Sequence, residues 1–387
     1  MGAISVSRFT IVADENIPQV AEQFASLGEV TVVNGRKLSR QQLRDADILL
    51  VRSVTQVDQS LLDGTSVRFV ATATIGTDHL DIDYLDAHQI GWASAPGCNA
   101  DSVVDYMISV FCRLQGVLEL LMADGTVGIV GMGNVGSRLY QRLSRLGIAC
   151  SAYDPLIDPQ RYPVLTDLET VLQADIICLH APLTTAEPYP SFHLLDEQRL
   201  AALKPGAVLI NAGRGAVIDN SALQALLNEH DDICTVLDVW ENEPTPDMAL
   251  LKRVDLGSPH IAGYSYDGKL AGTAMIYQAC CEFFSVEPVK APVAEEDTAL
   301  TLTIREQSDV IAAMREAVLA CYDVAEDDQR FRGGLLHADQ HERGAVFDQL
   351  RKNYPVRREL SRYRIANVNA LDPPVQDGLA ALGFICR

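Results

Sequence analysis

Short apolar runs alternate with stretches whose apolar residues recur at helical spacing through most of the chain. A run of four to six apolar residues bounded by turn residues predicts a buried parallel strand. Such runs fall at 9–13, 30–33, 48–51 and 69–73, and again at 127–130, 149–153, 175–179, 207–211 and 234–239. Helical patterns fill the gaps at 20–27, 137–146, 196–203, 220–228 and 275–284, and Ser39 is placed to cap another. Pro96-Gly97-Cys98-Asn99 interrupts the pattern before a long helix, with Asn99 or Asp101 as its cap. Alternation of this kind predicts an α/β protein with parallel sheets covered on both faces. It runs twice, which predicts two units: 1–98, with a returning helix at 268–287, and 99–267. A cleft between them is the expected meeting place of ligands. Pro288 to Glu296 reads as a linker. Residues 291–387 read as a smaller α+β module, with a strand at 301–304, a helix at 308–322 and another beginning at 347–350.

The run 127–130 leads straight into Gly131-Met-Gly133-Asn134-Val135-Gly136 and then a helix, the context that a dinucleotide-binding turn needs. Gly131 permits the tight turn, Gly133 lets backbone N–H groups approach a pyrophosphate, and Gly136 lets the helix pack close to the strand. The helix N-terminus then presents free N–H groups and a positive dipole end. The next strand ends at Asp154, eighteen residues after Gly136, close to the spacing of an acid that hydrogen-bonds the adenosine ribose. The expected fold is two Rossmann-like, doubly wound parallel-sheet domains plus the small C-terminal module, with a dinucleotide as cofactor.

Composition changes this picture only by exclusion. At 387 residues, 48% hydrophobic and 21% charged, the chain is long enough for two or three cored domains and fits no disordered or fibrous class. A net charge of −21 repels nucleic acid and anionic membranes, so neither is expected as a partner. Nine cysteines without a repeated spacing suit reduced thiols better than a disulfide frame or a metal site, and no metal is expected. No signal peptide or membrane span is read, Met1-Gly2 lacks the hydroxyl residue of a myristoylation pattern at Val6, and the expected location is cytoplasmic.

The chemistry concentrates at predicted strand ends. In the second unit these are Ile210-Asn-Ala212-Gly213-Arg214-Gly215, Leu237-Asp238-Val-Trp-Glu-Asn-Glu243-Pro244 and Ser258-Pro-His260-Ile-Ala-Gly263-Tyr264. In the first they are Arg52-Ser53 and Thr74-Ile75-Gly76-Thr77, whose backbone can form an anion-accepting nest. Oxidising a hydroxy acid requires a base for the hydroxyl proton, a carboxylate that orients the base and a fixed cation for the substrate carboxylate. His, Glu and Arg suit those three roles, Arg because it grips a carboxylate with two parallel hydrogen bonds.

Glycine turn, Asn-x-x-Arg-Gly, Asp-Val-x-x-x-Glu-Pro and Pro-His-x-x-Gly in this order resemble the D-isomer-specific 2-hydroxyacid dehydrogenases over roughly residues 45–285. The resemblance implies Arg214 as substrate clamp, Glu243 as partner of the histidine and His260 as acid/base. It implies NAD contacts at Gly131, Gly133, Asn134, Val135, Gly136, Asp154, Ala181, Ala212, Gly213, Arg214, Asp238 and Gly263. Ala181 stands where the family often has Thr, which removes one hydroxyl contact to the cofactor.

A narrower likeness rests on Arg52-Ser-Val-Thr55, Gly76-Thr-Asp-His79, Ala95-Pro-Gly-Cys-Asn99 and His260-Ile-Ala-Gly-Tyr264. Leu350-Arg-Lys-Asn-Tyr354 and Arg357-Arg-Glu359 in the C-terminal module add to it. They are similar to a branch of the family in pyridoxal phosphate biosynthesis. That branch implies oxidation of a small phosphorylated hydroxy acid, 4-phospho-D-erythronate, with substrate contacts at Ser53, Thr74, Ile75, Gly76, Arg214 and Tyr264. It also implies a homodimer formed through the C-terminal module. Rival readings are a dehydrogenase of 3-phosphoglycerate or a non-catalytic NAD-sensing corepressor on the same fold. Between Arg351 and Arg364, six basic side chains face only Glu359, a basic island in an acidic chain. Substrate phosphate or a partner subunit's acids are its two expected counterparts.

Overall fold

The computed structural model describes residues 9–289, 299–306 and 308–386; residues 290–296 of the expected linker lie outside them. The chain divides into two compact units, one running through Asn99 and resuming from Ser265, the other Ala100–Tyr264 with the chain from Ala299 onward.

In the first unit β1 (Phe9–Asp14), β2 (Gly28–Val33), β3 (Ile48–Val51), β4 (Phe69–Thr72) and β5 (Gly91–Ala93) form a parallel sheet in the order β2-β1-β3-β4-β5. β3 and β4 are buried at every position, which is why they are apolar throughout rather than alternating. The helix Tyr266–Phe284 covers this sheet, burying Ile276, Tyr277, Cys280 and Cys281 against Ile11, Phe24 and Phe69. It begins earlier than the periodicity predicts because Ser265 caps it, its Oγ accepting the Gly268 N–H at 2.8 Å. The segment after Ser39 is only a 3-10 turn, Arg40–Leu43, with the Ser39 N–H held by Gln42 Oε1 at 3.0 Å.

In the second unit β6 (Thr126–Val130), β7 (Ala149–Tyr153), β8 (Ile176–Leu179), β9 (Val208–Asn211), β10 (Cys234–Leu237) and β11 (Leu256–Gly257) are all parallel, in the order β11-β10-β9-β8-β6-β7. The expected pair of doubly wound sheets is therefore present. In each sheet the unit's first strand lies between its second and third, so the winding reverses there. A crevice at the strand ends follows from that reversal. The helix Ala100–Arg113 runs through the interior of this unit, buried at nearly every position from Ala100 to Cys112. Neither expected cap closes it: Asp101 lies inside its first turn and pairs with Arg138 at 3.0 Å, and Asn99 Oδ1 is buried without a partner.

The C-terminal segment shares the core of the second unit. It contributes the helices Val310–Cys321, Val324–Leu335, Arg343–Lys352 and Pro373–Ala381, and β12 (Leu300–Leu302) paired in parallel with β13 (Tyr363–Ile365). Ala313, Met314, Ala317 and Val318 pack with Val104, Met107 and Phe111 of the central helix. Phe331, Leu335 and Phe347 pack with Trp240 and Leu250. Polar ties run alongside: Ser109 Oγ donates to the Tyr322 carbonyl at 2.8 Å and accepts the Val324 N–H at 3.0 Å. Asp105, 3% exposed, pairs with Arg142 and also accepts the Leu360 N–H at 2.8 Å. Removing one member of such a pair strands the other charge in the interior. Asp105→Ala is expected to cost this unit about 3–5 kcal/mol in urea unfolding. A loss below about 1 kcal/mol shows that Arg142 finds other partners.

Candidate active site

β6 ends in the glycine turn, and Gly131 takes φ +93, a conformation that favours glycine. A side chain at Gly131 would meet the Ala181 nitrogen at 2.8 Å, so the turn lies against the end of β8. A Cβ at Gly136 would fall 2.0 Å from the Gly131 carbonyl oxygen, and one at Gly133 would meet nothing within 4 Å. Gly136 is thus required by packing, whereas Gly133 leaves open space in front of the helix Asn134–Arg145. The Asp154 carboxylate turns back to this turn, accepting the Met132 N–H at 2.8 Å and the Leu156 N–H at 3.1 Å. An open glycine at a helix N-terminus with an acid beside it fits a dinucleotide: pyrophosphate at the helix end, ribose at the carboxylate. Ala181 and Gly213 border the same crevice, a Cβ at Gly213 lying 3.0 Å from the Ala181 carbonyl oxygen. His180 beside them has both ring nitrogens buried and unpartnered, and burial pushes its pKa down to about 4, so it is neutral.

β9 delivers Arg214 through a tight turn. Asn211 Oδ1 accepts the Gly213 N–H at 3.0 Å, Asn211 Nδ2 donates to the Arg214 carbonyl at 3.0 Å, and Arg214 Nη1 donates to the Gly213 carbonyl at 2.9 Å. β10, paired with β9, ends at Leu237, and Asp238 follows it. Asp238 is 1% exposed and accepts Ser258 Oγ at 2.6 Å, the Ile261 N–H at 2.7 Å and the Ala262 N–H at 3.0 Å. Burial pushes this carboxyl up, opposed by the His260 charge and these three donors. Tyr106 and Trp240 brace Ser258 from two further sides, at 2.9 Å each. The segment 258–262 is thereby fixed from within, and in it His260 adopts φ +57. A non-glycine residue in that region costs about 1–3 kcal/mol and is found where surrounding bonds impose it.

The imposed backbone aims the His260 ring at Glu243, with Nδ1 and Oε2 2.8 Å apart. With the Nδ1 proton given to Glu243, Nε2 is left with its lone pair, and no described residue partners it. The ring remains about one-third exposed, at 34%. Burial works to raise the Glu243 carboxyl, but the charge and hydrogen bond of His260, the Trp240 N–H at 2.9 Å and the Arg351 cation together hold it below the usual range. The pair is an oriented imidazole with an ionised carboxylate behind it, able to accept a proton at Nε2.

In the first unit the expected substrate residues lie beyond adjacent strands. Ser53 is exposed past the end of β3, and Thr74, Ile75 and Gly76 follow β4. Thr74 Oγ1 bonds Thr72 Oγ1 at 2.7 Å and the Gly76 carbonyl at 3.2 Å, and His79 Nε2 reaches Thr72 Oγ1 at 2.9 Å. His193 is tied to Glu241 at 2.8 Å, a contact that fixes its loop.

Two side-chain placements beside the site escape the sequence. Arg357 of the basic island is 6% exposed, donates to the Ala262 and Ser102 carbonyls, and lies 4.3 Å over the Tyr322 ring. Arg351 lies 5.6 Å over the Tyr264 ring. The excess of basic residues and the motifs Leu350-Arg-Lys-Asn-Tyr354 and Arg357-Arg-Glu359 were the signals for them, and neither carried a direction.

Comparison with known proteins gives this geometry a family. Residues 112–262 match the NAD binding domain of the D-isomer specific 2-hydroxyacid dehydrogenases, and residues 295–383 match a domain of unknown function (DUF3410). An erythronate-4-phosphate dehydrogenase of Cellvibrio japonicus is 49% identical over 383 residues, covering 97% of this chain and 99% of that one. One of Marinobacter nauticus is 44% identical, covering 97% and 98%. Among solved structures, the NAD+-bound 3-phosphoglycerate dehydrogenase of Entamoeba histolytica shares the fold at 22% identity, with a TM-score of 0.60 over 75% of this chain and 99% of that one. With identity approaching one residue in two along nearly its whole length, the chain belongs to the erythronate-4-phosphate dehydrogenase family of the D-isomer specific 2-hydroxyacid dehydrogenases.

Proposed function

We propose that the chain oxidises 4-phospho-D-erythronate at C2 to (R)-3-hydroxy-2-oxo-4-phosphooxybutanoate with NAD, in the formation of pyridoxal 5'-phosphate. The observation that carries the chemistry is the 2.8 Å contact between His260 Nδ1 and Glu243 Oε2, which leaves Nε2 for the substrate. The full-length relatives support the choice of acid.

His260 Nε2 takes the C2 hydroxyl proton, and Glu243 keeps the ring oriented and stabilises the imidazolium that results. Arg214 grips the substrate carboxylate through paired hydrogen bonds, together with the N–H groups of Ile75 and Gly76. Ser53, Thr74 and Tyr264 are assigned to the rest of the substrate. Gly131, Gly133, Asn134, Val135, Gly136 and Asp154 are assigned to the adenosine and pyrophosphate end of NAD. Ala181, Ala212, Gly213, Asp238 and Gly263 are assigned to its nicotinamide end. NAD held there supplies the hydride acceptor. Asp154 disfavours a ribose 2'-phosphate by repulsion, which supports NAD over NADP.

Self-association is assigned to the C-terminal segment on its resemblance. Among the described residues no helix is long and apolar enough to cross a membrane, and all nine cysteines are free thiols. The thiols support a reducing, cytoplasmic setting.

Absorbance of reduced nicotinamide reports the reaction directly. kcat/KM is expected to be higher for 4-phospho-D-erythronate than for 3-phosphoglycerate, and the opposite order removes the substrate assignment. His260→Ala is expected to lower kcat by roughly 100-fold or more. Turnover within a few-fold of the unaltered protein removes His260 as the base. Light scattering on the eluting full chain is expected to give twice its 42.2 kDa mass. A monomer at micromolar concentration removes the dimer.

A further inference from the structure

The helix Arg343–Lys352 belongs to the segment whose matching family model is a domain of unknown function, yet it packs on the corner that follows Glu243. Its first turn lies against the corner that follows Glu243: a Cβ at Gly344 would sit 3.4 Å from Pro244 Cγ and 3.5 Å from Thr245 Cγ2. Its middle is anchored by Phe347, which is 0% exposed and packs edge-on against Phe331 at 5.8 Å. Phe331 in turn packs on Trp240 at 5.6 Å. Trp240 carries the backbone N–H that Glu243 accepts. The helix is therefore fixed to both ends of the Trp240–Pro244 corner, and its last turn projects Arg351 back toward the site.

Arg351 is held between aromatic rings, its Cζ 5.6 Å from the Tyr264 ring centroid and 6.0 Å from that of Phe347. It shares a side-chain hydrogen bond with Tyr264, and its Nε is buried without a partner. Tyr354, at the end of the same segment, meets the other side of Tyr264 at 6.0 Å and 80°. Burial opposes the charge on Arg351, but Tyr264, Glu243 and Asp348 more than offset it, so the guanidinium stays ionised. A cation beside a partly desolvated carboxylate acts over several ångströms, because little water lies between to screen it.

We infer that Arg351 is a positioning residue of the reaction: it clamps Tyr264 at the substrate and sets the proton affinity of the Glu243–His260 pair. This gives the C-terminal domain a part in the chemistry and rests on the function proposed above. The charged groups around the pair define the sign. His260 faces Glu243 and the buried Asp238, and Glu243 faces His260, the Trp240 N–H and Arg351. Arg351 itself faces Tyr264, Glu243 and Asp348. Asp238 favours a proton on the pair, and Arg351 is the cation that opposes it. Removing that cation makes the pair easier to protonate, whichever member takes the proton. A base that protonates at higher pH fails at higher pH.

The test is the pH profile of kcat/KM for 4-phospho-D-erythronate oxidation in the full chain. For Arg351→Met the acidic limb is expected to move up by about 0.5–1 pH unit, and KM for the acid to rise several-fold. Arg351→Lys keeps the charge but not the planar fork. It is expected to leave the limb in place while KM stays raised. Arg305→Met, which removes an exposed arginine of the same segment paired with Glu316, controls for general damage and is expected to move neither. Should the methionine variant fail to fold, Arg351→Gln reads the same limb. A folded Arg351→Met or Arg351→Gln protein with an unmoved limb overturns the inference while leaving the proposed function intact. An unaltered protein that does not turn over this acid overturns the proposed function itself.

Discussion

Asp238 carries a carboxylate into the interior and spends both oxygens on the loop that follows β11. Burying an ionised group without partners costs several kcal/mol, so the three donors that converge on it are what make the arrangement tenable. They also fix the loop in a shape that it would not take alone. His260 sits one or two residues from each donor to that carboxylate, and its own N–H is bound to the Asp238 carbonyl at 2.7 Å. Between these bonds its φ of +57 is forced, and the forced φ is what turns the imidazole toward Glu243. The strain of about 1–3 kcal/mol is small beside the loss that would follow from stranding the buried carboxylate. The direction of the His260 ring is thus a consequence of an interior electrostatic demand.

The C-terminal segment meets the same loop from the other side. Arg357 donates to the Ala262 carbonyl, Tyr354 abuts Tyr264, and Asp328 Oδ1 accepts the Gly257 N–H at 2.7 Å. Asp327 in turn accepts the hydroxyls of Tyr322 and Tyr354 at 2.7 and 2.9 Å. The ties of Arg357, Tyr354 and Asp328 all land on the stretch from Gly257 to Tyr264. Because the segment also fills the core beneath Trp240, it cannot shift without disturbing the corner that holds Glu243. A domain of unknown function in sequence terms is, in packing terms, part of the wall of the proposed site.

The legibility of the sequence follows the range of the forces involved. Interior parallel strands are solvent-free on both faces, so 48–51 reads as an apolar run and its bounds match β3; 149–153 matches β7 as well, although that edge strand is only partly buried. His260 and Glu243 were legible because their neighbours along the chain form local turns of recurring kind. Helices set by tertiary contact were not. Val324–Leu335 carries Glu326, Asp327, Asp328, Arg330 and Arg332, and its buried Asp327 takes, besides Arg330 of the same helix, the hydroxyls of two tyrosines outside the helix. The helix Tyr266–Phe284 starts with Gly268 and Gly272, poor helix formers, and a Cβ at Gly272 would come 3.2 Å from the Ala73 carbonyl oxygen. Close approach, invisible in the pattern, selects glycine there. The basic island was visible as charge, but that Arg357 turns inward to carbonyls and Arg351 toward Tyr264 depends on a surface built by residues far away in the chain.

A net charge of −21 sits awkwardly with a substrate that carries both a carboxylate and a phosphate. The conflict is resolved by distance. At physiological ionic strength the Debye length is about 8 Å, so carboxylates spread over the outer surface are largely screened from a ligand inside a crevice. What an anionic substrate feels is the near field, where charges are desolvated and act through protein rather than water. In the site proposed above that near field would come from arginines held at fixed places, Arg214 by the Asn211 turn and Arg351 between the Tyr264 and Phe347 rings. An acidic exterior and a cationic site are therefore compatible, on the condition that the cations are built into the fold rather than left to flexible surface side chains. Packing one of them into a helix of the C-terminal segment meets that condition, and it ties the electrostatics of the site to the integrity of that segment.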